Sequence, residues 1–232
     1  QFIETVSFGS RLAGKLVNML SLGTTLQSSI FVTSRVFLPP LLLSLSFMIE
    51  SKNITIQLFL LTSGILTMSA FLFSFLVYLN FNYFQLLFQR VFIEYEFVTI
   101  PVAIGKVLFS KNNKLNQISL EAAPSIRSLP LKKIVASAFA YFFLSTGFLI
   151  TFSVAILIPD YRMTISQLAT AAHGIGALVL AMYIDPMISR SLDVKFENTD
   201  WFINIYAIFV GRLLAYLLAS FTFLALYFFI PI

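Results

Sequence analysis

Residues 3–40 read IETVSFGSRLAGKLVNMLSLGTTLQSSIFVTSRVFLPP. The stretch is apolar enough for a membrane helix, yet it holds Glu4, Arg11, Lys15 and Arg35. Stepping along it by threes and fours meets Glu4, Ser7, Arg11, Lys15, Asn18, Ser21, Thr25, Ser28, Val32 and Arg35, nine polar residues in ten. On one helix these positions share a face. A polar stripe in hydrocarbon is tolerated only where it meets protein or water. Glu4, Arg11, Lys15, Asn18 and Arg35 are therefore the first candidates for a binding site. As a single helix, residues 3–35 would be about 48 Å long, against a hydrocarbon core of about 30 Å. The spacing predicts two helices meeting near Gly14-Lys15, with Pro39-Pro40 ending the second.

The rest of the chain sets this stretch in a membrane. Of 232 residues, 59% are apolar and 11% charged, with a mean hydropathy of +0.92. A soluble domain carries about twice that charge, so the composition is that of an integral membrane protein. The absence of cysteine excludes disulfides, thiol nucleophiles and thiolate metal sites, and one histidine leaves little scope for a transition metal. Three charges between Gln1 and Leu22 exclude a signal-peptide core, and the opening reads as the second half of a longer first span.

The expected fold is an all-α integral membrane protein, one polytopic domain over 1–232, with about six transmembrane helices and an interfacial amphipathic helix. The spans fall at about 1–14, 16–38, 54–81, 134–158, 163–184 and 201–230. Leu41 to Ile49 is too short to cross and reads as a return along the outer interface. Between 84 and 98, Phe84, Leu87, Phe88, Val91, Tyr95 and Val98 repeat at helical spacing opposite Gln85, Gln89, Arg90, Glu94 and Glu96. That pattern predicts a helix lying in the interface plane, ended by Pro101. Residues 111–133 form the one long polar, basic loop. Residues 163–184 are rich in Ala and Gly, which suits close packing, and stop at Asp185-Pro186.

Alternating the spans with the basic loop in the cytoplasm puts Arg11, Lys15, Arg90, Lys106, Lys111, Lys114, Arg127, Lys132, Lys133, Arg190 and Lys195 inside. Only Lys52 and Arg162 fall outside. Eleven cations against two fit the positive-inside rule, with both termini outside.

Two charged or titratable residues fall near mid-membrane. Arg212 lies midway along the last span, where burying an unpaired charge costs on the order of 3 kcal/mol. It either joins a structural pair, with Glu4 or with backbone carbonyls, or lines a wet cavity with Arg11, Lys15 and Arg35. Guanidinium suits a phosphate ligand because its fork donates two hydrogen bonds at once. His173, at a similar depth, reads as a packing residue, with proton coupling as its functional alternative. Asp185 ends the fifth span either as a helix stop with a local ion pair or as a headgroup contact. There is no phosphate-binding glycine loop, no nucleophile–base pair and no paired-aspartate motif of the CDP-alcohol phosphotransferases. The chain reads as a transporter and not an enzyme, with no cofactor, no metal and no nucleic-acid partner.

The motifs Ile3-Glu-Thr-Val-Ser-Phe-Gly-Ser-Arg-Leu-Ala-Gly14, Leu20-Ser-Leu22 and Thr33-Ser-Arg35 resemble the N-terminal signature of the Amj family, bacterial lipid II flippases that act as an alternate to MurJ. Ile158-Pro-Asp-Tyr-Arg162, Ser166-Gln-Leu168, Ile184-Asp-Pro-Met-Ile-Ser189 with Asp193, and Val210-Gly-Arg-Leu213 resemble that family's last spans. The resemblance covers 3–40 and 135–220. It departs from the family pattern at Gly211, where Ser is expected, and at the added cation Arg190.

What it implies is movement of undecaprenyl-diphosphate-linked peptidoglycan precursor across a bacterial cell membrane. Glu4, Arg11, Lys15, Asn18, Arg35, Asp185 and Arg212 would serve the substrate and His173 a coupling role, with lipid II and anionic phospholipid as partners. The residues alone leave two other readings open, a secondary carrier of a small organic anion and a non-catalytic membrane scaffold.

Overall fold

The computed structural model describes residues 2–51, 54–109, 124–193 and 198–230. The described residues are helical throughout, apart from short turns. The helices are α1 (Phe2–Val6), α2 (Phe8–Leu16), α3 (Leu20–Arg35), α4 (Leu38–Glu50), α5 (Ile56–Leu79), α6 (Phe81–Tyr95), α7 (Ile100–Phe109), α8 (Leu131–Leu157), α9 (Arg162–Val179), α10 (Asp185–Asp193) and α11 (Asn198–Phe229). Among the described residues, five stretches are long and apolar enough to cross a membrane: Leu20–Glu50, Ile56–Leu79, Leu131–Leu157, Pro159–Ser191 and Trp201–Phe229. This is the architecture of a multi-pass membrane protein. The span expected at 1–14 is instead the two short helices α1 and α2, of 5 and 9 residues, neither long enough to cross.

The chain divides into two compact units, Gln1–Phe37 with Phe73–Ala123 and Leu38–Leu72 with Pro124–Ile232. In the first, α2 and α3 form a helical hairpin, the two helices expected from length. The turn lies at Val17–Met19, slightly beyond Gly14-Lys15. Asn18 turns the chain with φ 59°, a left-handed conformation that asparagine tolerates better than most residues. The helices touch at Gly14 and Gly23, where a Cβ on Gly23 would lie 2.6 Å from the Ser10 carbonyl oxygen. Ser10 Oγ donates to the Gly23 carbonyl at 3.0 Å across the same contact. Helix α6 packs on α2, with Phe88 and Phe92 joining Ala13 and Leu26 in a buried cluster.

The α6 helix forms close to where its periodicity put it, but it turns its glutamines inward. Gln85 and Gln89 are buried with Phe81, Phe88, Val91 and Phe92, while Tyr83, Ile93 and Tyr95 are exposed. Neither oxygen nor nitrogen of the Gln85 amide makes a hydrogen bond there, so the burial follows from the packing of α6 on α2 and not from any gain by the amides. The rest of the polar side stays outward, with Glu96 exposed and Arg90 and Glu94 half-buried.

Prolines read as stops open helices instead. Pro39-Pro40 lie in the first turn of α4 and Pro101 in that of α7, so residues 41–49 belong to a 13-residue helix that continues from α3. Proline lacks only an N–H, and in a first turn that N–H has no intrahelical acceptor. Asp185-Pro186 also fails to end its helix. A wide π turn over Leu180–Ile184 precedes it and α10 continues to Asp193. The π turn takes up the carbonyl that the proline ring leaves unbonded and would otherwise strike. Of the basic loop expected at 111–133, residues 111–123 lie outside the described residues, as does Lys195. The loop ends early: Lys132 and Lys133 sit in the first turn of α8.

In the second unit α8 packs against α9 on one side and α11 on another. Small residues set both contacts, as the composition of 163–184 predicts for α9. Gly147 backs onto Ala172 and the His173 backbone, Gly176 onto Ala140, and Gly211 onto Ile134 and Ser137. Ser137 Oγ donates to the Ile208 carbonyl at 2.8 Å. Helices α4 and α5 close the unit through Ile49, Phe59 and Leu60, packed with Leu149, Phe152 and Phe223.

Gly174, on the same helix as Gly176, faces open space, whereas a Cβ on Gly176 would lie 2.5 Å from the Ala140 oxygen. Gly176→Leu is expected to destabilise the detergent-solubilised protein by about 1–3 kcal/mol. Gly174→Leu should leave its melting temperature unchanged or raise it. Equal melting temperatures for the two variants would contradict the packing described.

Candidate functional site

The hairpin of the first unit bends the polar stripe back on itself. Its two ends, 31 residues apart, meet at Glu4. Ser34 Oγ donates to Glu4 Oε1 at 2.6 Å, and Arg35 Nε stands 3.8 Å from the same oxygen. The Arg35 guanidinium also lies over the Phe31 ring, 4.4 Å from its centroid. Glu4 is only 7% exposed, so its carboxylate needs such partners. Glu4 thus ties α1 to the end of α3.

The stripe is therefore not one face. Glu4, Ser7 and Arg11 are buried, with Arg11 beside the Gly23 backbone, while Asn18, Ser21, Thr25, Ser28 and Val32 are exposed. Lys15 and Arg35 are half-buried at the two ends of the exposed row. Asn18 stands at the bend, where its backbone conformation accounts for its presence. Thr25 and Thr33 donate their hydroxyls to the Ser21 and Ser29 carbonyls at 2.8 and 2.7 Å. Hydroxyls bonded back in this way add little cost on a lipid-facing helix and keep their oxygens available as acceptors.

Asp185, His173 and Arg212 belong to the second unit. Asp185 is half-buried in the first turn of α10. His173 is half-buried on α9, with its backbone nitrogen against Gly147. Arg212 is 1% exposed, one of the largest side chains buried completely. Its Nε donates to the Tyr216 hydroxyl at 2.6 Å, and its guanidinium lies 4.8 Å from the Tyr141 ring centroid and 5.5 Å from that of Tyr216.

A desolvated cation–π contact is worth about 2 kcal/mol and a hydrogen bond to a charged group about 1.5–3 kcal/mol. Together these match the cost of about 3 kcal/mol for placing arginine at mid-membrane. Arg212 is thus a bolt between α11 and α8. Sequence reading passed over both tyrosines. Tyr216 was within reach of it, four residues from Arg212 and so on the same helix face. Tyr141 carried no signal, since it lies in an uncharged span and meets Arg212 only through helix packing.

Among the described residues, no three or more His, Asp or Glu lie together so as to hold a metal ion. Compared with protein-family models, curated proteins and solved structures, the chain matches none, and the resemblance to the Amj family rests on the motifs quoted above.

Tyr216→Phe removes the Arg212 acceptor without changing shape. It is expected to cost about 1.5–3 kcal/mol in detergent unfolding, and Arg212→Lys, which cannot stack in the same way, at least as much. Wild-type stability in both variants would return Arg212 to the list of substrate-binding candidates.

Proposed function

We propose that the chain is a lipid-linked glycan flippase, moving lipid II or a close undecaprenyl-diphosphate relative from the inner to the outer leaflet. The observation that carries the reading is the exposed hydroxyl row of α3, with Lys15 near one end and Arg35 at the other. At 1.5 Å per residue, the 16 residues of α3 make a track about 24 Å long, most of the hydrocarbon thickness. Val32, Val36 and Phe37 are exposed beside it. An apolar tail can stay in hydrocarbon while a polar headgroup follows the hydroxyls.

The charge balance suits a diphosphate. Residues 2–37 hold three cations, Arg11, Lys15 and Arg35, against Glu4, so 3 − 1 leaves +2. Cations dispersed along the path favour passage, because each binds a phosphate weakly enough to release it. Serine and threonine oxygens would accept hydrogen bonds from sugar hydroxyls. The resemblance in the N-terminal motif supplies the identity of the lipid. A second reading draws on the same exposed row, which is equally a surface on which a polar-faced partner helix can dock.

The test is outward exposure of lipid II in cells depleted of their resident flippase. The chain is expected to restore exposure and growth. Ser28→Leu adds bulk at a lipid-facing position and should abolish the rescue at unchanged membrane levels. Lys15→Gln should reduce it by about tenfold, the loss of one charge-assisted contact. An inserted chain that restores neither exposure nor growth would sink the reading.

A further inference from the structure

One end of the second unit carries a cavity that the sequence candidates do not include. Its volume is about 470 Å³, and it lies where the start of α8, the end of α10 and the first turns of α11 converge. Two cations line it, Lys133 from α8 and Arg190 from α10, together with Asn204, Ser128 and Ser191 as neutral hydrogen-bonding groups. Met187 and Ile203 supply apolar wall. The Lys133 ammonium donates to the Asn204 carboxamide oxygen, and Asn204 is buried, so the lysine head is held in place. Arg190 is exposed and free to adjust to a ligand.

Two features select the ligand class. The first is charge: Arg127 and Lys132 stand exposed on the same short stretch as Ser128 and Lys133, so the approach is cationic as well as the wall. A guanidinium and an ammonium in one cavity match the oxygens of a phosphate, the fork of Arg190 giving two parallel hydrogen bonds. The second is apolar surface beside it. Ile126 is 64% and Leu131 72% exposed, flanking a cavity at the end of a membrane-length helix bundle. A soluble phosphate has no use for that surface, whereas acyl chains lie against it. Cations at a helix-bundle end with exposed apolar neighbours are what an anionic lipid meets at the membrane surface.

We infer that this cavity binds the phosphate headgroup of an anionic phospholipid, with Lys133 and Arg190 on the phosphate oxygens and Asn204, Ser128 and Ser191 around the glycerol hydroxyls. The site lies wholly in the second unit and shares no residue with the track on α3, so either can fail without the other. By the charge count along the chain it opens to the inner leaflet. Zwitterionic headgroups are disfavoured because their ammonium would face the two cations.

The experiment uses the full chain in neutral detergent, titrated with short-chain phosphatidylglycerol, with phosphatidylcholine and with inorganic phosphate at matched ionic strength. Phosphatidylglycerol is expected to bind at least about tenfold more tightly than phosphatidylcholine, the effect of one net charge beside two cations. Arg190→Gln, at an exposed position, should cut that affinity about tenfold with the melting temperature unchanged. Lys106→Gln, a cation of the first unit in an exposed pair with Glu94 at 3.5 Å, should leave it unaltered. Equal affinity for the two lipids overturns the inference, as does an equal loss in both variants. Displacement of the lipid by inorganic phosphate assigns the cavity to a free anion and overturns it too.

Discussion

Everything positioned in the second unit depends on how closely α8 is approached by its neighbours. In hydrocarbon no apolar surface gains by leaving the solvent, so helices associate through packing and the few hydrogen bonds that bridge them. Gly147 and Gly176 bring α9 onto α8, and Gly211 brings α11 onto it at the backbone of Ile134. The Ser137 hydroxyl bonded to the Ile208 carbonyl fixes the register of that second contact. With the register set, Tyr141 meets Arg212, and Lys133, about two turns earlier on α8, meets Asn204. A larger residue at 211 would separate the helices, and both polar contacts would go with it.

The two units bury charge in different ways. The first unit uses an ion pair reinforced by a serine hydroxyl, Glu4 of α1 with Arg35 and Ser34 of α3, beside the glycine contact of α2 and α3. Such a pair offsets its own desolvation only when the remaining lone pairs are also bonded, which Ser34 provides. The bundle uses aromatic rings and one phenolic hydroxyl for Arg212. The first arrangement leaves a half-buried cation at the end of α3, Arg35, and another, Lys15, on α2 near its start. The second buries its cation against two tyrosine rings, with 1% of Arg212 exposed. This difference moves the functional emphasis from Arg212 to the exposed row on α3 and to the cavity at Lys133.

Much of the fold was legible because hydrophobic runs of membrane length have few alternatives. The stretches around 56–79, 131–157 and 201–229 appear near their expected positions, and the break in the opening stretch follows from length alone. The misreadings share a cause. Proline at 39–40, 101 and 186 was taken as a terminator, but its missing N–H is equally at home in a first turn, and only the path of the chain decides between the two. Gln85 and Gln89 stand on the polar side of the 84–98 pattern, and only the packing of α6 on α2 buries them. The candidate site was half legible. Its charged residues are visible in the sequence, but the hairpin that joins Glu4 to Arg35 brings together positions 31 apart, and no periodicity encodes that. Asn18, a candidate through its place on the polar stripe, also serves the turn of the hairpin with its φ of 59°.

The central claim is that the chain itself carries a diphosphate-linked lipid across a bilayer, without a further protein. It is tested most directly by reconstituting the purified chain in sealed vesicles that hold a fluorescent lipid II and adding a membrane-impermeant quencher. The account predicts that the fluorescence protected in the inner leaflet becomes accessible when the wild-type chain is present, and stays protected with Ser28→Leu. Protection that is the same with wild-type chain, variant chain and protein-free vesicles would contradict it.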